Sequence, residues 1–438
     1  MSSVTPSATN LSIDELTGTQ ITPMGRFAIW SSLLSVLFLT QIAYSIGDFP
    51  VSTVFLCYAM TALYLLTSGS ASFSLLILML YLIAAVVASL TMVLLKSPLT
   101  SWTSLLLLSV LYAPYPFRLK SEPDLASVQQ YIERAYVAAA TVIAAIAVVQ
   151  IILVNGFGAS SLTNIYFVLP KEISAAGNYT FLRTTGEIVK ANGFFLREST
   201  ELSLVTALAL IIEYFTRARY HILSILAAGL FCSLSGAGFL CLIVGFVMPR
   251  WSLNRVPHFL LYSLVFIAAF FILYYSEIPG LNLFFDRLSE FNTAGTSGYA
   301  RYAAPMNMVQ QNFDEGGTTM WLGHGAGTYL RSTRLLGLKF EINDPTWAKL
   351  IYEYGLVGFT MISTLFIVRV YSSALKPEVC IFILFDWISS PALLSAGFVV
   401  IFWLLTLVPR HLSGHVQPGA RRRNQGGVGL KRRSVNDW

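Results

Sequence analysis

Two stretches of an otherwise apolar chain are dense in groups that suit an anionic substrate. The first runs Lys190-Ala-Asn-Gly-Phe-Phe-Leu-Arg-Glu-Ser199. The second carries Arg287, Arg301, His324, Tyr329, Arg331 and Asp344 within about sixty residues. Guanidinium groups bind phosphate oxygens bidentately. Arg287 and Arg301 bracket a segment with glycines at 295 and 298, so the pair could wrap a pyrophosphate. Lys190 and Arg197 add two further cations. Three groups in these stretches could accept a proton: Asp344, His324 and Glu198.

Each of these residues also has a plain structural reading. Gly323-His-Gly-Ala-Gly-Thr328 looks like a phosphate-binding loop, but it lacks the Lys-Ser/Thr ending of a P-loop and no strand precedes it. It reads as a compact turn bringing His324 and Tyr329 towards a cavity, with His324 either a base or a turn histidine. Asp344-Pro345 suits a helix start, with Asp344 as N-cap and Pro345 in the first turn. At the mouth of a helix bundle the same carboxylate could act as a general base. Glu198 and Ser199 could satisfy the N-terminal amides of a helix.

The elements that position these residues follow from composition. The chain has 438 residues, 55% hydrophobic and 11% charged, and a mean hydropathy of +0.66. Those values exclude an ordinary soluble globular protein. Apolar runs recur at roughly 27–46, 51–67, 73–95, 101–117, 134–154, 200–216, 220–234, 236–249, 258–275, 347–368, 377–390 and 392–409. Cytoplasmic loops collect Lys and Arg. Arg217 and Arg219 precede the stretch 220–249, and Arg250 and Arg255 follow it, so it must cross an even number of times and form a tight hairpin. Arg369 and Lys376 before 377–409, with Arg410 after it, require a second hairpin. The basic loop at Arg118 and Lys120 also falls inside.

The expected fold is therefore an all-α polytopic membrane protein of about twelve transmembrane helices. A cytoplasmic N-terminal tail (1–26) without a cleavable signal precedes the membrane domain (27–409), and a basic cytoplasmic tail (410–438) follows it. The net charge of +6 comes largely from that tail, which suits retention or anionic lipid contact; nucleic acid is not expected. Two long outer loops remain, at about 155–199 and 276–346, and both carry cations. The four cysteines lie in apolar runs without metal-like spacing, and no cofactor or metal is expected.

In order along the chain, Lys190-x-x-Gly-Phe-Phe…Glu198-Ser199, Ser297-Gly-x-x-Arg301, Gly323-His-Gly-x-Gly-Thr-Tyr329 and Asp344-Pro-x-Trp-x-x-Leu-x-x-Glu-x-Gly-Leu-x-Gly358 resemble the O-antigen polymerase and O-antigen ligase superfamily. The likeness covers residues 185–370 in motif and the whole chain in topology. It implies a metal-independent, inverting glycosyltransferase of GT-C-like architecture in a bacterial inner membrane, with its active site facing the periplasm. The substrate implied is an oligosaccharide linked to undecaprenyl pyrophosphate, with a flippase and a chain-length regulator as membrane partners. Arg301 matches the family's second arginine, and Lys190 stands where an arginine is usual. Asp344 stands where the ligase branch has a histidine, which turns the expectation towards a polymerase of repeat units. Arg301, Lys190, Arg197 and Arg287 would then hold the pyrophosphate, and Tyr329 and Arg331 would contact substrate. Asp344, or else His324 or Glu198, would deprotonate the attacking hydroxyl. On this reading 321–331 belongs to a mobile outer loop closing over the sugar pyrophosphate. A lipid-linked oligosaccharide transporter is the alternative outside the enzyme class.

Overall fold

The structure is a computed structural model, and the residues it describes are 22–46, 49–95, 98–120, 125–170, 173, 184–185, 188–248, 264, 299–335 and 344–410. Among them the chain forms helices α1 (Pro23–Phe38), α2 (Thr53–Thr67), α3 (Leu75–Leu95), α4 (Trp102–Tyr112), α5 (Leu125–Phe157), α6 (Ser199–Thr216), α7 (Tyr220–Cys232) and α8 (Gly236–Val247). After a π-helical turn, Tyr299–Ala303, come α9 (Ala304–Glu315), α10 (Gly317–Leu322), α11 (Thr328–Leu335), α12 (Thr346–Tyr371), α13 (Pro377–Ser389) and α14 (Ala396–Leu405). Helices α3, α5, α6 and α12 are long and apolar enough to cross a membrane, and six shorter apolar helices accompany them. This is a helical membrane protein with little sheet.

Several expected boundaries move. The run 27–46 is helical only to Phe38, because Ala43–Ile46 pairs antiparallel with Phe49–Ser52. Tyr44, Ile46, Phe49 and Val51 are residues that favour extended backbone. The run 101–117 ends as helix at Tyr112, ahead of Pro114 and Pro116, which cannot continue one. Phe117–Leu119 instead pairs with Ala71–Phe73. Helix α5 reaches 33 residues by adding a polar N-terminal stem to the expected 134–154. Within the expected outer loop 276–346, Tyr299–Leu335 forms four helical segments, with the Gly323–Gly327 loop between the last two. The expected span 258–275, apart from residue 264, and the tails 1–21 and 411–438 lie outside the described residues. Each run expected to form a hairpin is divided into two short helices, α7 and α8 by a turn at Ser233–Ser235 and α13 and α14 by residues 390–395.

Small residues set the helix packing. Helix α5 presents Ala139, Ala140, Ala144 and Ala147, all buried, to its neighbours. A Cβ on Gly229 of α7 would lie 2.6 Å from the Ala144 Cβ. On α8, a Cβ at Gly238 would lie 2.3 Å from the Ser203 carbonyl oxygen of α6, whose hydroxyl accepts the Gly238 N–H at 2.9 Å. Without a hydrophobic drive between helices in lipid, such close approach supplies the association. Gly238→Val is expected to push α8 off α6 and cost about 1–3 kcal/mol. The thermal unfolding midpoint in detergent measures it; an unchanged midpoint would refute the close contact.

Hydrogen bonds gather the polar loops at one end of the bundle. There Thr40 and Gln41 reach the 190–198 turn, Ser101 N–H donates to the Ala326 carbonyl, and Leu393 N–H donates to the Thr346 hydroxyl. The opposite end holds the strand pair 71–73 and 117–119, the α12–α13 turn and Arg410.

Candidate functional site

The site is built on a broken helix. In α12, Gly355 adopts φ 63°, ψ −170°, a conformation essentially confined to glycine. The carbonyls of the turn before the break find acceptor roles outside the helix. Ile351 O accepts Asn312 Nδ2 at 2.9 Å, Tyr352 O accepts the His324 N–H at 2.9 Å, and Glu353 O accepts the Gly325 N–H at 2.7 Å. Buried backbone groups need such partners, above all in a membrane.

This explains the glycine-rich stretch. A Cβ on Gly323 would lie 2.5 Å from the Glu353 carbonyl carbon, and one on Gly355 would lie 2.3 Å from the Trp321 backbone. The two chains touch backbone to backbone, which only glycine permits. Gly325 and Gly327 meet Thr100 and Ser101–Ser104 with equal closeness on the other side. The loop is wedged between the α12 break and the α3–α4 turn, and its N–H groups at 324 and 325 are engaged. In this conformation it packs into the bundle rather than lying over it as a cover.

The wedge delivers the start of α11 to Glu353. That carboxylate is fully buried. Its Oε1 accepts the Tyr329 N–H at 3.3 Å, and Gly327 N–H also donates to it. A helix N-terminus is the natural place for such a charge. Oε2 has no hydrogen-bond partner. One turn earlier in α12, buried Lys349 is attracted to both Glu353 and Asp344, and its Nζ lies 2.7 Å from Asp344 Oδ2. Asp344–Lys349–Glu353 thus forms a chain of charges leading from a part-exposed carboxylate into the bundle.

The expected roles shift accordingly. Asp344 does not cap α12; Pro345 holds the N-cap position with extended backbone, and Asp344 pairs with the lysine instead. His324 Nε2 lies 2.9 Å from Glu315 Oε2, an acceptor oxygen, and its ring stacks on Tyr352 with centroids 4.4 Å apart. Its Nδ1 faces the Tyr352 carbonyl, so both nitrogens look at acceptor oxygens, an arrangement for a donor more than for a base. Tyr329 is fully buried. Burial pushes its phenol up, with the charges of Asp344 and Glu353 adding to the effect. It packs edge-on to Tyr352 as a core residue. Arg331 clamps the α3–α4 turn, donating to Leu99 O at 2.8 Å and Thr100 O at 2.7 Å.

A second polar centre surrounds the turn 190–198. Gln150 of α5 accepts the Asn192 and Gly193 N–H groups at 3.1 and 2.9 Å and donates to Asn192 Oδ1 at 2.9 Å. Asn192 and Gln41 donate to Leu196 O at 2.7 and 2.9 Å. Gly193 and Phe194 have positive φ, 71° and 67°. The turn is thereby held tightly, with Arg197 at its end. Glu198 is the N-cap residue of α6 but makes no side-chain cap bond. Glu201, three residues on, reaches back to the Arg197 N–H at 2.9 Å, as the glutamate of a capping box does. Arg197 and Glu201 stand at the mouth of a small cavity of about 30 Å³, with Val36, Val54, Phe398 and Ile401 beneath.

The two centres share one end of the bundle and are linked by a single turn. Ser395 and Ala396 line the Arg197 cavity. Five residues earlier, Ser390 O accepts the Thr346 N–H and hydroxyl, both at 3.0 Å. Arg301 lies in the turn Tyr299–Ala303, its side chain outside the described residues, as is Arg287 altogether. The sequence reading passed over Lys349, Glu353, Glu201 and Gln150 as site residues. For Lys349 and Glu353 a signal existed, since two opposite charges four apart in an apolar run are costly unless paired or used. The chain matches no family model, and no curated protein is significantly similar to it.

Proposed function

We propose that this chain polymerises oligosaccharide repeat units carried on undecaprenyl pyrophosphate, at the outer face of a bacterial inner membrane. One observation carries the reading: the turn 190–198, the Gly-rich loop and the Asp344 motif meet at the same end of the helix bundle. That end takes the outer side in this reading, since Arg118, Lys120, Arg217, Arg219, Lys376 and Arg410 gather at the other. About twelve crossings of GT-C-like arrangement complete it, with a flippase and a chain-length regulator as neighbours.

In the reaction, the hydroxyl of a sugar on one lipid-linked repeat attacks the anomeric carbon of a second glycan. The new glycosidic bond forms as the bond to the pyrophosphate oxygen breaks, inverting the centre. The electron pair leaves with undecaprenyl pyrophosphate, whose growing charge Arg197, Lys190, Arg301 and Arg287 stabilise. Asp344 takes the hydroxyl proton. Lys349 holds Oδ2 and leaves Oδ1 to face the substrate.

A transporter of the same lipid-linked oligosaccharide is the second reading. It is favoured by buried ionisable residues within helices: Glu353, Lys349, Arg369 and Asp386. Surface glycan of a deletion strain, complemented with wild type, Arg301→Ala or Asp344→Ala, separates the readings. Polymerisation predicts single repeats on the surface of the null strain, restored to long chains by wild type only. The variants are expected to lose chain elongation by a factor of about 10²–10⁴. Long glycan left on undecaprenyl pyrophosphate points to a ligase, and repeats trapped in the inner leaflet point to a transporter. Wild-type chains from both variants would remove Arg301 and Asp344 from the site.

A further inference from the structure

At the opposite end of the bundle a cavity of about 380 Å³ opens between the N-terminal stem of α5, the C-terminus of α6 and the α12–α13 turn. This falls within the usual range for small-ligand pockets, about 300–1,000 Å³. It belongs neither to the Asp344 centre nor to the Arg197 centre. Five charged side chains line it: Glu133, Arg134, Glu213, Arg217 and Lys376.

The two acids are already engaged. Glu213 is gripped by Arg219 through Nε at 2.8 Å and Nη2 at 3.0 Å, and it also accepts the Arg219 N–H at 3.1 Å. Glu133 Oε1 accepts the Gln129 amide at 2.9 Å. Lys376 caps the carbonyl end of α6 at Phe215 O and keeps two further protons to donate. Arg134 donates to Gln130 Oε1 at 3.2 Å, while its Nε, shielded from solvent, has no partner. Counting Arg219, four cations face two carboxylates, and the excess positive charge calls for an anion.

The neighbourhood indicates where that anion comes from. Tyr214, Phe215 and Phe246 form an aromatic cluster with centroids 5.1 to 5.5 Å apart at the same ends of α6 and α8. Tyr214 and Phe246 are 51% and 41% exposed. Exposed aromatic side chains at the ends of apolar helices mark the headgroup level of a bilayer. Basic pockets between helices at that level bind lipid phosphates.

We propose that this cavity binds the phosphodiester headgroup of an anionic phospholipid, with Arg134 and Arg217 donating to the phosphate and Lys376 beside them. The acyl chains run along the apolar flank of α5, where Val142, Val149 and Ile152 are exposed. The assignment is independent of the polymerase reading.

Native mass spectrometry of the full-length protein, released from vesicles of equal phosphatidylglycerol and phosphatidylcholine, tests it. Phosphatidylglycerol is expected to be retained preferentially. Arg134→Gln and Arg217→Gln should each reduce its retention about fivefold, the factor that one cation contributes at an anionic interface. Glu133→Gln, which removes an opposing charge, should raise retention; a misfolded variant would not move in that direction. Inorganic phosphate at millimolar concentration should leave the lipid in place. Equal retention of both lipids, or retention unchanged in the arginine variants, overturns the proposal. Displacement by inorganic phosphate alone would overturn the lipid and assign the cavity to a soluble phosphate.

Discussion

Glu353→Ala is expected to lower the stability of the protein by about 1–3 kcal/mol for each buried donor left without its acceptor. The substitution leaves Lys349 charged in the bundle with only Asp344 beside it, and deprives the Gly327 and Tyr329 N–H groups of their acceptor. Equilibrium unfolding in detergent reads the loss. Glu353→Gln keeps an oxygen for those two donors and is expected to cost less than half as much. The double variant Glu353→Leu with Lys349→Met removes both buried charges, so part of the stability should return. If Glu353→Ala unfolds like wild type, the charge chain is not what holds α11 to α12.

Gly355→Ala is expected to be nearly as damaging for a different reason. Its φ of 63° with ψ of −170° costs a residue bearing a Cβ about 1–3 kcal/mol in backbone strain alone. The added methyl would also lie 2.3 Å from the Trp321 backbone, forcing α10 away from α12. The Gly325 and His324 amides would lose their acceptors, and their hydrogen exchange should speed up before global unfolding does. Gly236→Ala is the matching control: a Cβ there meets nothing within 4 Å, and the change should stay within about 0.5 kcal/mol of wild type. Equal effects of the two substitutions would show that the close contact at Gly355 carries no weight.

Much of the helical plan is legible from charge and hydropathy. Arg217 and Arg219 on one side and Arg250 and Arg255 on the other call for a break within 220–249 by parity, and a turn lies there, at Ser233–Ser235. Pro114 and Pro116 were equally visible, yet an apolar window smooths over them, so the run 101–117 reads as one span. The site is less legible, because its bonds join distant segments. Arg331 is exposed and cationic, and nothing near it in the chain indicates that its guanidinium clamps carbonyls at 99 and 100. Gln150 sits in an apolar run with no sign of the turn forty residues on that it holds. The glycines at 323, 325 and 327 were legible as a tight turn. Their packing partners were not, since a glycine that serves a close approach looks the same as one that serves flexibility.

The broken α12 also bears on how the protein is assembled. The carbonyl of Tyr352 takes its donor from His324, 28 residues back along the chain. A helix entering a bilayer has no such donor to hand, and an unsatisfied carbonyl in hydrocarbon costs several kcal/mol. At helical φ and ψ, Gly355 lets the segment insert unbroken, every carbonyl closed on its own helix. The break in α12 and the docking of His324 and Gly325 are thus one event, since neither leaves its backbone groups satisfied without the other.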